Sequence, residues 1–130
     1  MKKINSLLIV DDDHISNLLT SMLFSELYAH TQIRVSENGA QALEEIKDCL
    51  QSEQNCPDVI FLDVEMPTMD GFEFLERLEE LNKKDLPIVL LTSSLHARNQ
   101  EKARKYKIKA LVEKPLTEEK IESVLLALSA

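Results

Sequence analysis

Glycine is scarce in this sequence. Gly39 and Gly71 are the only two in 130 residues, and both stand between periodic segments. Nothing in the chain therefore reads as a Gly-rich linker or a low-complexity tract. Cysteine is equally rare: Cys49 and Cys56 stand alone, without metal-type spacing or ligand partners. A disulfide between them is open to the chain, but two reduced thiols in a cytosolic protein are the expectation. Long apolar runs are missing too, and none approaches the roughly 20 residues of a membrane span. The opening MKKINSLLIVDDD has a short apolar patch cut off by acids, which makes a poor signal peptide. Positive charge is in deficit: 15 Lys and Arg face 23 Asp and Glu, for a net charge of -8. That balance argues against general nucleic-acid or anionic-membrane binding. A cytoplasmic protein follows as the expectation.

What remains is ordinary globular composition, 44% hydrophobic and 29% charged, at a length that suits one domain with one core. There is no internal repeat. Leu7 to Val10, Val59 to Leu62 and Ile88 to Leu91 are short, continuous apolar runs. Such runs fit strands buried on both faces of a parallel sheet. TQIRVS (31–36) alternates, with Ile33 and Val35 on one face, and Ala110 to Val112 is very short. These two read as edge strands.

Helical patterns separate the strands. Ile15, Leu18, Leu19, Met22 and Leu23 form one apolar stripe, expected to face the core. Leu43, Ile46 and Leu50 mark a second helix after Asn38-Gly39, and Phe74, Leu75, Leu78 and Leu81 a third. Leu95 to Lys107 is so polar that a helix there should be the least firmly docked element. Thr117 suits an N-cap ahead of Glu118 and Glu119, and Ile121, Val124, Leu125 and Leu128 give the last helix its stripe. Five β/α units in this order predict a flavodoxin-like, doubly wound (βα)5 fold with a five-stranded parallel sheet, order 2-1-3-4-5. Ligands in such sheets sit beyond the carboxyl ends of the strands.

Those ends are chemically distinctive. The first strand leads to Asp11, Asp12 and Asp13; the third to Asp63; the fourth to Thr92, Ser93 and Ser94; the fifth to Glu113, Lys114 and Pro115. Clustered carboxylates call for a hard cation, and Mg2+ suits them because it keeps water and phosphate oxygens among its ligands. A carboxylate is also a competent nucleophile toward phosphorus. Lys114 offers a point charge and Thr92 a hydroxyl for phosphoryl oxygens, the charge stabilisation that phosphoryl transfer needs. Asp13, just before the first helix stripe, reads as that helix's cap.

LLIVDDD, Asn38-Gly39-Ala40, VIFLDVEMPTMDG, LLTSS and EKP occur in the order and spacing of a known family. Across essentially its whole length the chain resembles the receiver domain of bacterial two-component response regulators. The resemblance implies that Asp63 is the phosphoacceptor. It implies Mg2+ ligation by Asp12 directly, by Asp11 partly through water, by Asp63, and by the backbone carbonyl of Glu65. It makes Thr92 the switch hydroxyl and Lys114 the phosphate-binding lysine, with a cis peptide at Lys114-Pro115. The implied donor is the phosphohistidine of a sensor histidine kinase or of a histidine phosphotransfer protein. The chain would catalyse only its own phosphorylation and dephosphorylation. A single receiver domain over 1–130 with no output domain is the expectation, so that output runs through an unidentified protein partner or a phosphorelay. The implied state is a monomer or a phosphorylation-dependent dimer, switching on the face of the fourth helix, fifth strand and fifth helix.

Other features depart from the pattern or stand apart from the site. Leu111 occupies a position that is often Tyr or Phe in the family, and it has no ring to change rotamer when the threonine moves. Ala110 replaces a frequent Gly, and KDCLQSEQNC (47–56) is several residues longer than usual. Glu65 and Ser94 stand at the two variable positions that tune phosphoryl lifetime. Gly71 is expected to serve a special backbone angle in the loop Met66–Gly71. His14, His30 and His96 lack clustered partners and read as surface or capping residues. Arg98, Lys102, Arg104, Lys105, Lys107 and Lys109 crowd twelve residues that hold one acid, Glu101, leaving nine basic against twenty-two acidic residues elsewhere. That run reads as a solvated helix face, with a docking surface for an acidic partner as the alternative. Three rival readings are an aspartate-dependent phosphohydrolase, a flavodoxin-like cofactor binder and a degenerate scaffold. The first lacks room for a cap and the second lacks a Ser/Thr/Gly-rich phosphate cradle. The intact set Asp11, Asp12, Asp63, Thr92 and Lys114 speaks against the third.

Overall fold

The computed structural model describes residues 4–67, 69–81 and 85–129. Strands β1 (Ser6–Val10), β2 (Gln32–Ser36), β3 (Val59–Asp63), β4 (Ile88–Thr92) and β5 (Ala110–Glu113) alternate with helices. The helices are α1 (His14–Leu27), α2 (Gly39–Ser52), α3 (Gly71–Leu81), α4 (Ala97–Ala103) and α5 (Glu118–Ser129). The sheet is parallel with order β2-β1-β3-β4-β5, as the pattern of runs predicts.

Strand pleating explains why the central runs carry no polar alternation. Successive side chains point to opposite faces, and both faces are covered. Leu8, Val10, Ile60, Leu62, Ile88 and Leu90 pack with Ala42, Ile46, Phe74, Leu75 and Leu78 of α2 and α3. Leu7, Ile9, Val59, Phe61, Val89 and Leu91 pack with Phe24 of α1 and with Ile121, Val124, Leu125 and Leu128 of α5. Register then fixes the strand ends. Val10 pairs Leu62, Asp63 pairs Leu91, and Thr92 pairs Glu113. Asp11, Asp63, Thr92 and Lys114 therefore emerge at one edge.

Four expectations need correction. The α1 stripe does not face the core. Ile15, Leu18, Leu19 and Met22 are 70%, 60%, 57% and 54% exposed, and only Leu23 of the set packs against the core. The buried face is Asn17, Thr20 and Phe24. Its polar half has a physical reason: Asn17 donates its Nδ2 to the Asp11 carbonyl at 2.9 Å, tying the helix to the end of β1. Phe24 then meets Phe61 edge-on, with centroids 5.5 Å apart.

Gly71 has no positive φ. A Cβ there would lie 2.8 Å from the Asp63 carbonyl oxygen and 2.9 Å from Val64 Cα, so the constraint is close backbone approach. Its N–H donates to the Val64 carbonyl at 2.9 Å, folding the loop back onto the end of β3.

Cys49 and Cys56 are joined in a disulfide rather than reduced. After α2 the chain turns through left-handed Glu53 (φ 57°) and Asn55 (φ 63°). This return brings the two Cα atoms to 5.1 Å, inside the range a disulfide spans. The expectation of free thiols rested on compartment, which says nothing about a turn that folds a helix end back on itself.

The polar fourth helix is shorter than its pattern, seven residues with only Ala103 buried. Tyr106 lies beyond it, stacked on Phe72 and donating its hydroxyl to Glu76 at 2.9 Å. The other terminal signals hold. Asp13 caps α1 by accepting from the N–H groups of Ile15 and Ser16, Asn38 caps α2, and Thr117 accepts from the Lys120 N–H.

The α1 assignment is open to a direct stability test. Leu18→Ala should change the unfolding free energy by no more than about 0.5 kcal/mol. Phe24→Ala should cost about 3–5 kcal/mol. Urea denaturation measures both, and a Leu18→Ala cost comparable to that of Phe24→Ala would place the stripe back in the core.

Candidate functional site

The edge holds two buried carboxylates with one ammonium between them. Asp11 and Asp63 are 1% and 3% exposed, while Asp12 is exposed. Lys114 Nζ donates to Asp11 Oδ2 at 2.7 Å and stands 3.4 Å from Asp63 Oδ1. Asp11 uses its other oxygen, Oδ1, to accept the Asp13 N–H at 2.9 Å. Lys114 is itself positioned by backbone: its N–H donates to the Thr92 carbonyl at 2.7 Å, and the Lys114-Pro115 peptide is cis, as the resemblance implied. Lys120 of α5 closes this turn from outside, donating its Nζ to the carbonyls of Glu113 and Pro115.

Burial sets the electrostatics. It pushes the Asp63 carboxyl up from 3.8 to about 7, helped by the Asp11 charge and by Glu65, and opposed by Lys114. Burial works against the Lys114 ammonium as well. There the hydrogen bond to Asp11 and the charges of Asp63 and Asp11 outweigh it, so its pKa is raised. The cluster thus carries more negative charge than one lysine neutralises. Asp11, Asp12 and Asp63 each offer an oxygen within 4.8 Å of the others, an all-oxygen donor set of the kind Mg2+ takes. The residues present fit that ion.

Thr92 is fully buried, and its hydroxyl is occupied. It donates toward Glu65 Oε1 at 3.0 Å and the Ser94 carbonyl at 2.9 Å. It accepts from the Ser94 N–H and from Asn99 Nδ2, at 3.1 and 3.3 Å. Glu65 also accepts from the N–H of Ser93 at 2.7 Å and from the Ser93 hydroxyl. Burial alone would raise the Glu65 pKa, but the bonds from Ser93 and Thr92 hold it below the ordinary carboxylate value. His14 sits beside the site with Nδ1 3.3 Å from Glu37 Oε1, an exposed surface pair.

The sequence-predicted residues are therefore brought to one edge. Asp11, Asp12, Asp63 and Lys114 gather at one point, and Thr92 engages the Glu65 side chain. Sequence reasoning set Ser93 at this edge without a role and missed Asn17, Asn99 and Lys120. Only Asn17 left a signal: with Thr20 and Phe24 it forms a second helical stripe, at i, i+3 and i+7.

The family model of the response regulator receiver domain matches residues 7–126. The chain belongs to this family. Its length and fold agree with solved receiver structures. A two-component response regulator from Cytophaga hutchinsonii superposes with a TM-score of 0.88 at 26% identity, over 98% of each chain. Among curated proteins, hybrid signal transduction histidine kinase L of Dictyostelium discoideum is 30% identical over 128 residues, 95% of this chain and 7% of that protein. A protein-glutamate methylesterase/protein-glutamine glutaminase of Halalkalibacterium halodurans is 39% identical over 88 residues, 67% of this chain and 23% of that protein. The receiver thus spans only a small part of those relatives. Among the described residues no helix is long and apolar enough to cross a membrane.

With the Asp63 carboxyl raised, Mg2+ and a proton would compete for the cluster. Below about pH 7 the carboxyl is protonated and must lose its proton before it can bind a cation. Mg2+ affinity, measured by calorimetry, should rise by up to about tenfold per pH unit as pH approaches 7, then level off. An affinity that stays flat through neutral pH contradicts this electrostatic picture.

Proposed function

We propose that this receiver domain accepts a phosphoryl group onto Asp63 from the phosphohistidine of a histidine kinase or a histidine phosphotransfer protein. The observation that carries the reading is the Asp11–Lys114–Asp63 arrangement: a buried carboxylate beside one flexible cation and two further acids. An Asp63 carboxylate oxygen attacks phosphorus. The P–N bond to the donor imidazole breaks, and its electron pair leaves on nitrogen. Lys114 turns from Asp63 toward the phosphoryl oxygens, while its bond to Asp11 keeps it in reach. Mg2+ held by Asp11, Asp12, Asp63 and the Glu65 carbonyl would supply the remaining positive charge for those oxygens. The receiver domain of the histidine kinase CKI1 from Arabidopsis thaliana, which shares the fold at a TM-score of 0.83 and 20% identity, was solved with Mg2+ and BeF3-.

The exposed α1 face supports a protein donor. Ile15, Leu19 and Met22 line a cavity of about 640 Å3 with Ser93, Lys114 and Pro115. An apolar patch continuous with the mouth of the site suits the protein that must bring its phosphohistidine to Asp63. Phosphorylation adds charge at Asp63, draws Thr92 toward it, and shifts α4 and the β5–α5 face, where a downstream protein reads the state. On this reading the domain catalyses only its own phosphorylation and dephosphorylation.

Acetyl phosphate with Mg2+ should add one phosphoryl group by intact-mass spectrometry, and Asp63→Asn should abolish the adduct. Multiple-turnover release of phosphate from small phosphate esters would favour the phosphohydrolase instead.

A further inference from the structure

The contacts of Thr92 point to a device that the phosphoacceptor chemistry does not require. Its side chain is fully buried, so its one hydroxyl proton must go to a protein acceptor. The acceptors present are Glu65 Oε1 and the Ser94 carbonyl. Glu65 is not a casual partner. The same Oε1 also takes the N–H and the hydroxyl of Ser93, so one carboxylate oxygen gathers three donors from the end of β4 and the loop after it. A phosphoryl oxygen on Asp63 would have to win the Thr92 proton from this carboxylate and from the Ser94 carbonyl beside it.

The same hydroxyl is tied to α4. Asn99, in the first turn of that helix, donates its Nδ2 to Thr92 Oγ1 at 3.3 Å and to the Ser94 carbonyl at 3.1 Å. Another side-chain tie at that end is local, from Gln100 Nε2 to the Leu95 carbonyl at 2.6 Å. His96 caps α4 without a side-chain hydrogen bond, and Ala103, at the far end, is the only buried residue of the helix. Movement of the threonine removes one of the two acceptors on which the Asn99 amide rests.

We propose that Glu65 is a latch on the Thr92 hydroxyl, and that Asn99 transmits its release to α4. The proposal rests on the phosphoacceptor reading above and deepens it. Glu65 is a positioning residue: it holds Thr92 in the resting arrangement and lowers the fraction of molecules ready to meet a phosphoryl group. Asn99 gives Thr92 a direct line to α4. No aromatic ring is needed in β5, where this chain has Leu111.

The test uses Mg2+ with beryllofluoride, followed by amide NMR of the full chain. Charge repulsion by Glu65 must be separated from latching. Glu65→Asp keeps the charge but is one methylene too short to hold Thr92 and Ser93 together; Glu65→Gln removes the charge. The latch predicts that Glu65→Asp tightens apparent beryllofluoride affinity about fivefold and Ser93→Ala about twofold, since each weakens the resting arrangement. If only Glu65→Gln tightens it, repulsion is the whole effect and the latch is wrong. Asn99→Ala should leave the Thr92 response intact while the Ala97–Ala103 amide shifts fall to less than about half of wild type. Unchanged α4 shifts in that variant would overturn the coupling. A wild-type chain that ignores Mg2+ and beryllofluoride overturns the phosphoacceptor reading and the latch with it. A wild-type response with unchanged Glu65→Asp and Ser93→Ala affinities overturns the latch alone.

Discussion

Everything at the working edge depends on two buried carboxylates held beside each other with one lysine for compensation. Like charges out of water are costly, and Asp11 and Asp63 tolerate the arrangement in three ways. Lys114 bridges them, the Asp13 N–H satisfies one oxygen of Asp11, and Asp63 rests near its own protonation midpoint at neutral pH. With Asp63 ionised, the site is short of positive charge. An oxygen-seeking cation would relieve that shortage.

The fold makes the juxtaposition unavoidable. Strands β1 and β3 are apolar on both faces and locked in parallel register, so Asp11 and Asp63 leave the sheet side by side. The turn after β5, clasped by Lys120, delivers Lys114 between them. Gly71 lets the loop after β3 close over the Asp63 backbone, where a side chain would collide with it. Burial energy at the centre of the sheet thus holds a charge arrangement that would relax in a softer scaffold.

Much of this was legible in the sequence, for a definable reason. Buried parallel strands announce themselves as unbroken apolar runs, and the residue after each run names the site. Asp11, Asp63, Thr92 and Lys114 were readable that way. Helix orientation was less so. On α1 the stronger apolar stripe faces out, because Asn17 turns inward to the Asp11 carbonyl and Phe24 to the core; hydrophobicity alone chose the wrong face. Gly71 was recognisable as special but not by mechanism, since a positive φ and a close backbone approach both demand glycine. The Cys49–Cys56 pairing depends on left-handed turns at Glu53 and Asn55, which have no sharp sequence signature. The Glu65, Ser93 and Asn99 contacts join a loop, a strand end and a short helix. No periodicity links such residues.

Asp63 is held in a strained charge state that depends on Lys114. The carboxyl carbon resonance of Asp63, followed across pH without Mg2+, reads that dependence. The wild-type midpoint should lie near 7, and in Lys114→Met, with the one counter-charge gone, it should move higher still. A wild-type midpoint near the ordinary 3.8, unmoved by loss of Lys114, would contradict the account.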